Sequence, residues 1–538
     1  MKPATQDPVN PNSDATSTGT NASGQNASNH SYSTRTPEVG MAAAAEMMVA
    51  TARKAPVFKG SSMLFGSAGD FAADPLTTLL AAQREYGDMV ATRFAHLPVM
   101  VVAAPADIQR VLVDNRQNYT KTTYPYQILR NLLGNGLVTS EGSFWLRQRR
   151  IAQPAFQRER INAFAGMITT VAQDMATLWA DSASRREVRE VLDDMTLVTL
   201  RVAGFSLISQ DLKGVAGGVG AALTVAQRWV DHRLNALGSP PLFVPTARNR
   251  AFKKARAELF GLIQGVIAQR RADKDPSTAD LLGMLMFAKD PETGESMSDA
   301  QLADELLTIL MAGHETTSNM LTWTLYRLSL HPEVTRRLLA ELQGVLGGRS
   351  PTVEDIPRLP YLDAVFKETM RLHPPVWILD RMAEADDVLG GCLVKKGTTV
   401  ITSPYLTHRH PGLWRNPEGF DPERWFTPEV KSLHRLAYFP FSVGQRKCVG
   451  DTLALLEAPI ILATLLQAVT PELVQGHKVE PETLVTMRPK YGMRMVMRRT
   501  EQQHAALPPA SATSDVAKEA AAAGCPFHAK AGPSTQGT

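Results

Sequence analysis

The feature that most limits what this chain can fold into is a proline-free run over residues 298–330. Ser298-Asp-Ala-Gln301 at its start reads as a capping box. Leu302, Leu306, Ile309 and Leu310 then recur at helical spacing. A helix of roughly 30 residues is about 45 Å long at 1.5 Å per residue. A rod of that length crosses a whole domain, so the remaining elements must pack around it. Its middle reads Ala312-Gly313-His314-Glu315-Thr316-Thr317-Ser318, flanked by the apolar segments 306–310 and 321–325. Polar groups buried there cost free energy unless they are paired, so the cluster requires a reason. His314-Glu315 would open a zinc-protease motif only with a His at 318, and Ser318 stands there. Two readings remain. In one, Ala312 and Gly313 let a flat ligand or substrate lie against the helix, Thr316 bonds a reacting molecule and Glu315 passes protons to it. In the other, Thr316 back-bonds to a helix carbonyl and bends the helix.

Helical periodicity dominates elsewhere too, as at Leu455, Ala458, Leu462 and Leu465. Strand-like pieces are short: 89–94, 99–103, 397–403 and 493–497. The expected fold is mainly α, of the α+β class, a helix-rich domain with small peripheral sheets. Residues 1–45 are rich in Ser, Thr, Asn and Pro, and residues 501–538 in Ala, Gly and Pro. Both are expected as disordered tails on one catalytic domain, 46–500. Cys525, in the second tail, reads as an unpaired thiol rather than a regulatory metal contact. Residues 1–40 lack a continuous apolar stretch, so neither a signal peptide nor an integral membrane anchor is expected. A net charge of +4 is too balanced to favour nucleic acid as partner. Three cysteines cannot build a disulfide framework and favour a reducing, cytoplasmic setting.

One of those cysteines carries the chemistry. Cys448 lies in Phe441-Ser-Val-Gly444-Gln-Arg446-Lys-Cys448-Val-Gly450, ahead of an apolar helical run. With no second Cys or His at ligand spacing, it is not a zinc site. Haem iron accepts a single protein thiolate. Gly444 and Gly450 permit a tight turn and close approach to a flat cofactor. Backbone N–H groups at the start of the next helix would favour the thiolate. Phe441 is placed to shield the sulfur, and Arg446 to meet a propionate. Pro459 falls inside the following helix, where a bend but intact ligation is expected.

The spacing Phe-x-x-Gly-x-Arg-x-Cys-x-Gly resembles the haem-binding signature of the cytochrome P450 monooxygenases, here of the soluble bacterial type. The resemblance extends over about 57–499. It implies haem b ligated by Cys448, with Ala312, Phe441, Gly444 and Gly450 against the cofactor. The family's central helix carries the same Ala-Gly-x-Glu-Thr-Thr segment, which implies that Glu315 and Thr316 deliver protons to dioxygen. Trp145 and Arg149, four apart, match a Trp-x-x-x-Arg pair that meets a propionate, and Arg381 and Arg446 match further propionate ligands. Glu368 and Arg371, with Arg424 further on, match a buried structural Glu–Arg–Arg cluster. Val376 and Trp377 match a segment lining the substrate pocket, and residues 124–137 and 306–312 are expected to line it as well.

The implied activity inserts one oxygen atom of O2 into a C–H bond or C=C of a hydrophobic substrate, a fatty acid or terpenoid. No dinucleotide-binding Gly-x-Gly-x-x-Gly follows a strand. Electrons must therefore come from separate proteins, a ferredoxin or flavodoxin with its NAD(P)H-dependent reductase. Arg147, Arg150, Arg158 and Arg160 form a basic cluster that could steer such a donor, or only a solvated face. The alternatives are a peroxide-using haem-thiolate enzyme and a haem- or ligand-binding sensor.

Overall fold

The computed structural model describes residues 48–49, 51–214, 216–236, 238–273 and 280–500. Both expected tails, 1–45 and 501–538, and with them Cys525, lie outside the described residues.

The long helix forms as its sequence requires. It spans Asp299–Leu330, 32 residues, and Ser298 caps it. The Ser298 hydroxyl accepts from the Gln301 N–H, while the Gln301 side chain accepts from the Ser298 N–H. Two of the four orphan donors at the helix start are thereby satisfied. Helices Val191–Ile208 and Ala247–Ala272 pack along this rod, and Pro360–Leu372 and Pro332–Leu346 meet its far half. Leu302, Leu306 and Leu310 are buried in the main apolar core.

The helix after the Cys448 loop, Asp451–Ala468, runs unbroken through Pro459. It packs on Ala165–Ser184, and its buried face includes Ala458, Leu462 and Leu465. Leu455 faces outward instead. This helix is long and apolar enough to cross a membrane, but 61% of it is buried inside the protein. Its apolarity therefore serves the core.

Among the described residues, four small sheets sit at the periphery, as the short apolar runs predict. The largest has five strands, ordered β1 (Met89–Phe94), β2 (Leu97–Val102), β8 (Thr399–Thr402), β5 (Leu379–Ala383) and β3 (Tyr119–Thr120). All neighbours are antiparallel except β2 and β8. β4 (Val188–Glu190), β12 (Arg494–Arg499) and β9 (Val469–Leu473) form a second sheet. β10 (Pro481–Thr483) and β11 (Met487–Pro489) form a hairpin whose tip, 484–486, reaches the central helix. β6 (Asp387–Leu389) pairs with β7 (Cys392–Val394).

Candidate active site

The Cys448 loop is built by its own backbone. The Cys448 N–H donates to the Phe441 carbonyl at 2.9 Å, closing the turn. Gly444 has φ +70°, and a Cβ there would stand 2.6 Å from the Leu112 carbonyl oxygen. Only glycine fits that position. Gly450 is different: its φ is −92° and it caps the next helix. Its N–H points at the sulfur and lowers the thiol pKa, as do the charges of Arg149 and Lys447. Burial outweighs them and raises the thiol above its ordinary value. Yet Cys448 is reached by solvent. A sulfur surrounded by protein but open on one side lines a void.

The central helix shows a second opening. Ala312 is exposed, although Met311 and His314 around it are buried. A Cβ on Gly313 would meet nothing within 4 Å. Thr316 shares this face, one turn on from Ala312 and Gly313. Leu306 and Leu310 point elsewhere, into an apolar cavity with Leu207 and Ile263. The expectation that all of 306–312 faces the pocket is therefore corrected by helix phase.

Thr316 Oγ1 donates to the Ala312 carbonyl at 2.7 Å. The neighbouring carbonyl of His314 accepts from Thr199 at 2.9 Å. The back-bond is thus real, and it holds the Thr316 hydroxyl on the face that Ala312 and Gly313 leave open. Glu315 is half-buried and held from two sides. Gln227 Nε2 donates to Oε2 at 2.6 Å, and Thr486 Oγ1 donates to Oε1 at 2.8 Å. His314 is buried, with Nδ1 2.7 Å from the Leu310 carbonyl. No group of three potential metal ligands occurs among the described residues.

A cluster of cations adjoins the Cys448 loop. The Arg446 guanidinium stacks 3.6 Å from the Trp145 ring centroid, bonds the Ser140 carbonyl and pairs with Glu141 at 2.8 Å. Arg381, buried, donates to the Tyr126 hydroxyl and to the Asp380 carbonyl. Lys121 completes the group; its Nζ donates to the Val138 carbonyl at 2.9 Å. Burial drives Lys121 well below the ordinary lysine pKa, and the charges of Arg381 and Arg446 push it further. Burial also brings Arg446 down to about 10, with Arg381 adding to the fall. Glu141 is the one acid that ion-pairs within the group among the described residues. Asp380 Oδ2 has no hydrogen-bond partner there, and burial raises its carboxyl. Three cations so close together, each losing solvation, are placed to receive an anion with two carboxylates. This fits haem propionates. Lys121 carries no periodic or motif signal and sequence reading misses it.

Arg149 does not join this cluster. Its Nη1 donates to the Lys447 carbonyl at 2.9 Å and its Nε to Gln153, bracing the Cys448 loop from outside. It shares Trp145's helix face but stands about 6 Å further along the axis at 1.5 Å per residue, against Lys447 rather than Arg446. Trp377 is likewise displaced from its expected role. Its ring packs in the core of the five-stranded sheet, stacked on Phe71, and its Nε1 donates to the Leu484 carbonyl at 3.0 Å. It supports the wall, and Val376 beside it is half-buried.

The Glu–Arg–Arg cluster forms as expected. Glu368 accepts from Arg371 at 2.8 and 2.9 Å, and from Arg424, the Asp421 N–H and Trp425 at 2.9, 2.9 and 3.1 Å. Arg371 donates onward to the carbonyls of His408, Pro417 and Gly419, and Arg424 to those of Arg415, Asn416 and Gly419.

The basic cluster resolves differently from its sequence reading. Arg150 forks onto Asp290 with two 2.7 Å bonds and holds that carboxyl at about 2. Arg150 also pairs with Glu292, and Arg147 pairs with Glu295. Their charge is spent on the 290–295 loop; Arg158 and Arg160 stay exposed. An open concavity of about 500 Å³ lies instead behind the Cys448 loop, lined by Arg116, Arg149, Gln153, Gln445 and Lys447 among others.

Comparison with known proteins matches this geometry. The family model for cytochrome P450 covers residues 56–495. Cyclooctatin synthase of Streptomyces melanosporofaciens is 35% identical over 80% of this chain and 93% of its own length. Pentalenene oxygenase of Streptomyces avermitilis is 30% identical over 80% of this chain and 94% of its own. The crystal structure of the cytochrome P450DA heme domain superposes with a TM-score of 0.76 at 28% identity, covering 83% of this chain and 98% of that one.

Proposed function

The chain belongs to the cytochrome P450 family, and from that premise we propose that it oxygenates a terpenoid-like hydrophobic molecule with electrons from a separate ferredoxin or flavodoxin and its reductase. It is a haem-thiolate monooxygenase. Haem b, held through iron by the Cys448 thiolate, supplies dioxygen activation and transfer of one oxygen atom to carbon. The chain's own residues do the rest. Lys121, Arg381 and Arg446 hold the propionates, with Trp145 stacked under Arg446. The Gly450 N–H stabilises the thiolate. Ala312 and Gly313 leave room on the oxygen-binding face, and Thr316 keeps its hydroxyl there by donating to Ala312. Glu315, fixed by Gln227 and Thr486, holds and passes the protons that the reaction consumes.

The observation that carries this reading is the enclosed but open sulfur of Cys448 beside three crowded cations. The substrate class rests on two relatives, whose printed names are cyclooctat-9-en-7-ol 5-monooxygenase and pentalenene oxygenase. The concavity behind the loop, with Arg116 in its lining, supports docking of the electron donor there.

Purified holoprotein should show the thiolate-type band when reduced under carbon monoxide. With ferredoxin, reductase and NAD(P)H it should hydroxylate a cyclic terpene hydrocarbon. C448S should lose both. A histidine-type spectrum, or turnover surviving in C448S, overturns the reading.

A further inference from the structure

Glu315 has a second acid behind it. Helix Ala216–Asn235 presents Gln227 and Asp231, one turn apart, to the same place. Gln227 bonds Glu315 directly. The tip of the β10–β11 hairpin then touches both acids with adjacent residues. Thr486 Oγ1 donates to Glu315 Oε1 at 2.8 Å, and the Val485 N–H donates to Asp231 Oδ1 at 3.3 Å. Asn319, one helical turn beyond Glu315, donates to Thr486 Oγ1 at 3.0 Å, so the hydroxyl's own proton is directed at Glu315. The two carboxyls are thus held together by one helix face and one turn. Asp231 is buried, at 7% exposure. The charged groups that act on it are Glu315 from the central helix, Glu482 from β10 and Arg488 from β11. Arg488 is itself paired with Glu482 at 3.0 Å.

We propose that Asp231 is the proton store for Glu315: it transfers a proton to Glu315 each time Glu315 has given one up. In that step the Asp231 O–H bond breaks and an O–H bond forms on the Glu315 carboxylate. The negative charge moves to Asp231, within the field of Arg488, and a proton taken up from bulk solvent reloads Asp231. Asp231 acts through Glu315, as a positioning residue. Burial first, and the charge of Glu315 next, bring its carboxyl up to about 7. It is therefore close to half loaded at neutral pH, which suits a group that must both hold and release a proton.

The inference rests on the proton-delivering role given to Glu315, so the test separates the two. On holoprotein, infrared difference spectra between D231N and the unsubstituted protein should show a protonated-carboxyl band that titrates near neutral pH and is absent in D231N. Product formed per NAD(P)H consumed should fall several-fold in D231N and lose its dependence on pH between about pH 6 and pH 8. D231E should restore both. The substrate-induced change in the haem spectrum should stay as in the unsubstituted protein, showing that substrate binding is intact. A carboxyl band retained in D231N, or an unchanged pH profile of coupling, overturns the proposal. E315Q is expected to uncouple turnover at every pH. If E315Q uncouples and D231N does not, the store alone is wrong. If E315Q couples normally, the reading of Glu315 fails and takes the store with it.

Discussion

Among the described residues, two clusters of buried positive charge are built on opposite plans. Around Glu368, the arginines at 371 and 424 are saturated, with a carboxylate at the centre and carbonyls at the edge. Around the Cys448 loop, Lys121, Arg381 and Arg446 lean on neutral carbonyls, an aromatic ring and one glutamate. Arg381 and Arg446 depress Lys121, and Arg381 depresses Arg446. A cluster whose donors are met by its own carboxylate and carbonyls needs nothing from outside and serves the fold. A cluster left short of anions is complete only with a ligand, and its chemistry names the ligand. The difference separates structural from functional charge without reference to motifs.

The largest expected effect is at the closed cluster. Glu368→Ala leaves two buried arginines uncompensated, which costs about 3–5 kcal/mol against a total stability of about 5–15 kcal/mol. Little folded, haem-loaded protein should be recovered, even with excess haem precursor in the medium. Normal haem content per chain would erase the distinction.

The open cluster should respond in the opposite sense. Lys121→Met or Arg381→Ala removes a crowded cation, so the haem-free protein should melt no lower than the unsubstituted chain. Haem retention should weaken roughly 10- to 100-fold, for the loss of one charged hydrogen bond of about 1.5–3 kcal/mol. Competition for haem by apomyoglobin, with thermal melts of the apoprotein, reads both. A large loss of apoprotein stability would place this cluster with the structural one.

A third kind of buried charge sharpens the contrast further. Glu305 and Glu457 have no cation facing them among the described residues, and burial alone or chiefly brings both up to about 8. Oε1 of each lacks a hydrogen-bond partner there. Folded protein keeps these protons up to about pH 8, whereas the unfolded chain gives them up near the ordinary glutamate value of 4.5. Their contribution is therefore present in full below about pH 4.5 and is lost as pH rises through 8. Melting temperature should fall across that window, and Glu457→Gln should flatten the slope. A slope unchanged in Glu457→Gln would show that this carboxyl is ionised in the folded state.

The smallest effect concerns surface charge. Arg116→Glu should raise the apparent KM for the electron donor a few-fold at low salt and less at high salt. Arg150→Glu should act on stability instead, because it breaks the fork on buried Asp290. Equal donor kinetics for Arg116→Glu at all salt concentrations would move the docking face elsewhere.

Much of this arrangement was legible from local sequence. The capping box fixed the start of the central helix, since its two hydrogen bonds involve residues three apart. The strands at 89–94 and 399–402 follow from short β-branched runs. The Cys448 loop and the Glu368–Arg371 pair are near neighbours in the chain, so spacing reveals them. Lys121 was invisible, because it meets Arg381 and Arg446 only after three distant segments come together. Arg149 and Trp377 were misplaced for a related reason: spacing says that side chains share an element, not which neighbour each one meets.

What the amino-acid order determined by itself is therefore the set of short-range devices: the helix cap, the glycine turn at 444, the sulfur at 448 and the acid–alcohol pair at 315–316. Their geometry depends on bonds spanning a few residues, which any fold containing them must satisfy. Tertiary structure alone decided which cations gather, which arginines are spent on partners, and which carboxyl stands behind Glu315. Those outcomes depend on desolvation and on charges brought close across the chain. Neither quantity exists until the helices have packed.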